Sequence, residues 1–73
     1  MKHQKPDSSE PARLLRLKQV EARTGQSRTA IYRGIAAGTF PKAVPLSGRA
    51  VAWVAAEVDE WIDARIAARE EAA

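Results

Sequence analysis

Four side chains spaced for one helical face carry the chemistry of this sequence: Arg28, Thr29, Tyr32 and Arg33. At about 100° per residue they fall with Ala36 on one contiguous arc, while Ala30, Ile31, Gly34 and Ile35 fall on the opposite one. Two guanidinium forks, a hydroxyl and a phenol thus share a face with no carboxylate. Such a face suits an anion, because guanidinium binds phosphate oxygens or a guanine edge bidentately. Thr29 can touch a phosphate or a thymine methyl. Tyr32 has two readings: its hydroxyl donates to a phosphate, or its ring packs on a neighbouring element and the hydroxyl is incidental. The plainer reading of the whole face is a set of solvated polar residues.

Other positions extend the set. Ser27 precedes the face and can cap the helix, its hydroxyl accepting from an amide otherwise unpaired in the first turn. It can bond a phosphate as well. Arg49 stands beside a Ser47-Gly48 turn, and an arginine at such a tip can enter a minor groove, where negative potential concentrates. Lys42 belongs to the same unit, and Lys18 is a weaker candidate for a backbone phosphate. For Arg49 the competing role is solubility at a sheet edge.

These side chains need elements to hold them. Gly25 can end a first helix, predicted over Lys18 to Arg23, at about Thr24; Ser27 opens the second and Gly38 stops it. Two short helices joined by a glycine-containing link are the signature of a helix-turn-helix. Before them, Leu14 to Leu17 fits a short strand or a helix lead-in. After Gly38, Phe40 anchors the connection to the core and Pro41 blocks further helix. A hairpin with a two-residue Ser47-Gly48 turn would pair Leu46 with Arg49, Val44 with Val51 and Lys42 with Trp53. A third helix, from about Ala56 to Arg69, has acids near its start and Arg65 and Arg69 near its end, which suits the helix dipole.

The expected fold is therefore mainly α with a small β-hairpin, a winged helix-turn-helix of three helices and a two-stranded wing over residues 13–69. Residues 1–12 read as a disordered tail and 70–73 as a frayed end. The expected core is Leu15, Leu17, Val20, Ile31, Ile35, Phe40, Val44, Leu46, Val51, Trp53, Val58, Trp61, Ile62 and Ile66.

Composition narrows the function classes. Seventy-three residues make one small domain, and chains of this size bury only about 60% of the surface exposed on unfolding. There is no cysteine, so neither disulfides nor thiolate zinc sites can staple it. No run reaches the roughly 18 apolar residues that span a bilayer. The net charge of +3 is unevenly placed. Between Ala22 and Ala56 the only charged residues are Arg23, Arg28, Arg33, Lys42 and Arg49; from Glu57 onward acids predominate. That polarity favours a polyanionic partner. Catalysis has little support. The single histidine, His3, is in the tail, no glycine-rich phosphate loop or metal spacing occurs, and Asp59 with Asp63 reads as a solvated helix face. No metal or cofactor is expected.

Five ordered blocks, Arg13 to Leu17, Arg23 to Arg33, Phe40 to Val44, Gly48 to Trp53 and Glu57 to Ile62, resemble the AlpA family of small prophage-associated regulators, related to excisionases and built on a MerR-like DNA-binding domain. The likeness covers roughly residues 13–68. It implies a sequence-specific double-stranded DNA-binding regulator of prophage or integrative-element genes, in the bacterial cytoplasm and associated with the nucleoid. The second helix, over 27–37, would enter the major groove, and the wing, over 43–53, would lie on the adjacent minor groove or backbone. A recombination directionality factor (excisionase) is one alternative and a protein-interaction module using the same surface another. MerR regulators dimerise through a long helix after this domain. Here the sequence ends within its third helix, so no small-molecule effector is expected, and a monomer in solution with cooperative or tandem binding on DNA is. The sequence departs from expectation where Ala55-Ala56 precedes Glu57, because alanine caps a helix poorly.

Overall fold

In the computed structural model, which describes residues 12–72, the turn at Gly25 sets the angle between the first two helices. Strand β1 (Leu14–Leu15) leads into helix α1 (Leu17–Thr24), and helix α2 (Arg28–Ala37) follows. Gly25 is left-handed at φ 74° and its N–H donates to the Glu21 carbonyl, closing α1 in a conformation that costs glycine little. The Thr24 hydroxyl donates to the Val20 carbonyl and accepts from the Gln26 N–H, so the turn is tied from both sides. Ser27 caps α2 as predicted, its Oγ accepting from the Ala30 N–H at 3.1 Å, and Gly38 stops the helix.

Strands β2 (Val44–Pro45) and β3 (Val51–Val54) form the wing, and helix α3 (Ala55–Ala72) completes the chain. Three helices with a small antiparallel sheet make the winged helix-turn-helix that was expected. The expected tail over residues 1–12, with His3, lies outside the described residues apart from Ala12.

Two features of the sheet depart from the predicted hairpin. First, β1 joins it, giving the order β1-β3-β2, with Leu14 opposite Val54 and Leu15 opposite Trp53. Second, the register is shifted by one residue. Val44 lies opposite Ala52 and Pro45 opposite Val51, and the Leu46 N–H donates to the Ala50 carbonyl at 2.8 Å. The Ser47-Gly48 turn gains Arg49 as a third loop residue, so Arg49 does not pair with Leu46. The reason is the central position of β3: both its faces are covered, and Ala52 and Trp53 are each fully buried. The predicted alternation assumed one solvated face. A one-residue slip exchanges the faces, so Leu46 leaves the core at 44% exposed, and Lys42 does not face Trp53.

The buried core consists of Leu15, Val20, Ile31, Phe40, Ala52, Trp53, Ala55 and Val58, with Leu17, Ile35, Ala43, Val51, Trp61 and Ile62 packed against it. Fully burying a side chain such as Val20, Ile31 or Val58 contributes about 1.5–3 kcal/mol. Ile66 was expected among them, yet is 48% exposed, because α3 extends past the elements it packs on. Ala52 and Ala55 were not expected in the core, since small residues give no periodic signal. Ala55 also answers the missing cap. Strand β3 runs directly into α3, and the Ala55 N–H donates to the Arg13 carbonyl at 2.8 Å. A backbone carbonyl ahead of β1 thus satisfies the first amide of α3 without a side-chain cap.

Candidate nucleic-acid interface

Helix α2 is locked by its inner face. Ile31 is fully buried and Ile35 partly so, which leaves Arg28, Thr29, Tyr32, Arg33 and Ala36 exposed along the opposite side. The helix carries no acid in its first turn. Ser27 and Thr29 sit at the helix start, where unpaired amides and the dipole favour an anion.

Tyr32 both packs against β3 and stays open to solvent. Its ring lies edge-on to Trp53, centroids 6.1 Å apart at 69°, yet the residue is 40% exposed. The ring therefore meets the wing while the residue stays partly open to solvent. The Arg28 guanidinium lies over the same ring at 5.6 Å from the centroid, within cation–π range. Trp53 itself is fixed, being fully buried with its indole N–H donating to the Pro41 carbonyl at 3.1 Å.

The loop after α2 is held as firmly. Phe40 is 6% exposed and meets Trp61 edge-on at 5.0 Å, and the Trp61 indole donates to the Thr39 carbonyl. Two aromatic pairs thus brace this region, Tyr32 to Trp53 between α2 and the wing and Phe40 to Trp61 between the following loop and α3.

The remaining basic residues are less uniform than the sequence suggests. Arg49 is exposed at the wing turn. Lys42 is exposed too, but it lines an open groove with Glu57 and Glu60 of α3. Lys18 is almost fully exposed and lies 3.8 Å from Glu21. Arg23, counted in the basic half, reaches across to Asp59 of α3 at 2.8 Å, so the two halves are bridged rather than separate. Sequence reasoning passed over Arg16 as an individual residue. Its backbone N–H donates to Gln19 Oε1 and its Nε to the Val51 carbonyl of the wing, which places a guanidinium beside β3. It precedes the helix, so no helical period marks it.

Among the described residues no group of three or more His, Cys, Asp or Glu is placed to hold a metal ion, and no helix is long and apolar enough to cross a membrane.

The family described as Prophage CP4-57 regulatory protein (AlpA) matches residues 13–66. A protein of Enterobacteria phage P4 named Uncharacterized protein ORF88 is 45% identical over 58 residues, covering 80% of this chain and 66% of that one. The DNA-binding transcriptional activator AlpA of Escherichia coli K12 is 39% identical over 59 residues, covering 73% of this chain and 84% of its own. No solved structure matches. The match takes in α1, α2, the wing and most of α3, and the chain belongs to the prophage CP4-57 regulatory protein (AlpA) family.

Proposed function

We propose that this protein binds double-stranded DNA sequence-specifically and regulates transcription of prophage or integrative-element genes. In this reading α2 enters the major groove and the wing lies over the adjacent minor groove or backbone. The observation that carries it is the exposed row of Arg28, Thr29, Tyr32 and Arg33 on a helix anchored by Ile31. Ser27 and Arg49 add backbone contacts, with Lys18 and Lys42 in lesser roles because each lies near carboxylates. The likeness to a relative named as a transcriptional activator favours transcription over excision as the output. The protein works in the cytoplasm, needs no cofactor or small-molecule effector, and acts as a monomer that binds repeated sites in tandem, because one module of this size offers limited contact area.

Duplex binding measured against salt tests the reading. About four phosphate contacts give a log–log slope near −4. No retardation of the protein's own upstream DNA at low salt would overturn it, and would favour a protein partner for the same surface. Sedimentation with and without a two-site duplex tests the tandem arrangement; a stable dimer free of DNA counts against it.

A further inference from the structure

Resting on the DNA-binding reading, we propose that Arg28, not Arg33, reads a base in the major groove, a guanine edge, and that Tyr32 is its positioning residue, braced by Trp53. Three observations converge. Arg28 is the first residue of α2, and the N-terminal residues of a recognition helix are those that reach base edges. Its guanidinium lies over the Tyr32 ring at 5.6 Å, the one cation–π pair among the described residues. The ring in turn lies edge-on to the fully buried Trp53, whose indole is bonded to the Pro41 carbonyl.

The physical consequence is preorganisation. An exposed arginine has many rotamers, and docking on a base edge freezes them. A guanidinium held over a ring that is itself packed against Trp53 has fewer to lose. At 5.6 Å from the centroid the cation–π contact takes up none of the guanidinium N–H donors in a hydrogen bond, so they remain for guanine O6 and N7. Among the described residues Arg33 is in no such pair, and it serves the backbone, where positive charge alone suffices. The Tyr32 hydroxyl is not part of the device; only the ring face is.

The test begins with sites selected by the wild-type protein from a randomised duplex library. Within them each invariant guanine is replaced in turn by 7-deazaguanine, which keeps O6 but lacks the N7 acceptor. Wild type and Tyr32→Phe should lose about tenfold or more in affinity at one guanine, the effect of one hydrogen bond to a charged donor. Arg28→Ala should be insensitive to that replacement, while Arg33→Ala should keep the full penalty and show a shallower salt slope. Pentafluorophenylalanine at position 32, close to phenylalanine in shape but with the ring's charge distribution inverted, should reduce the penalty without changing the circular dichroism spectrum or the salt slope. A penalty that survives in Arg28→Ala and vanishes in Arg33→Ala overturns the assignment. A penalty unchanged by the fluorinated ring overturns the role of Tyr32. Failure of the library to yield any enriched site overturns the DNA reading beneath both.

Discussion

Replacing Gly34 by alanine should destabilise the protein, although the substitution favours an isolated helix. Gly34 lies within α2, where glycine costs about 0.8–1.0 kcal/mol relative to alanine. Propensity alone therefore forecasts a gain of nearly 1 kcal/mol. A methyl at this position, however, would stand 2.9 Å from Phe40 Cβ and 3.4 Å from Thr39 Oγ1. The first distance is several tenths of an ångström inside ordinary carbon–carbon contact. Phe40 Cβ cannot swing aside, because it moves only with its backbone. That backbone is held by the Thr39 N–H on the Gly34 carbonyl at 2.8 Å, the Trp61 indole on the Thr39 carbonyl and the Trp53 indole on the Pro41 carbonyl. Overpacking of this kind costs about 1–3 kcal/mol, so the net expectation is a loss of about 1 kcal/mol. Urea unfolding followed by tryptophan fluorescence reads it directly. With a slope of about 1 kcal/mol/M for a small domain, the midpoint should fall by about 1 M. Ala36→Gly, on the exposed side of the same helix, should cost about 1 kcal/mol from propensity alone. A Gly34→Ala midpoint above wild type would refute the reasoning, since it would mean that the loop yields and does not fix the distance between α2 and the wing.

Ser27→Ala should cost about 1 kcal/mol through loss of the cap to Ala30, and Ser27→Asp should recover most of it; thermal unfolding of both variants checks this. Asp59→Ala should change stability by less than about 1 kcal/mol, because its pair with Arg23 is partly exposed. The same change frees Arg23, and titrations across salt should show the duplex-binding slope steeper by up to about one. Trp53→Phe should cost about 2 kcal/mol or more, adding a cavity to an unpaired Pro41 carbonyl, and denaturant unfolding followed by circular dichroism should show it as a lowered midpoint.

The local rules of the chain settled a good deal by themselves. A serine before Arg28 and glycines at 25 and 38 mark the limits of α1 and α2, because capping and left-handed turns depend on residues a few positions apart. The 3.6-residue period then decided that Ile31 faces inward and Arg28, Thr29, Tyr32 and Arg33 outward. The tertiary structure decided what depends on partners distant in the chain. The hairpin slipped one residue from its predicted register because β1 pairs on the other edge of β3 and both faces of that strand are covered. No turn rule contains that information. The poorly capped start of α3 is satisfied by the Arg13 carbonyl, Arg23 is drawn to Asp59, and Lys42 is placed near Glu57 and Glu60, all by packing between segments far apart in sequence. The row of donors on α2 was legible as a pattern of residue types. The ordering of Arg28 over Tyr32 against Trp53 was not, because it exists only once the wing has folded back onto the helix.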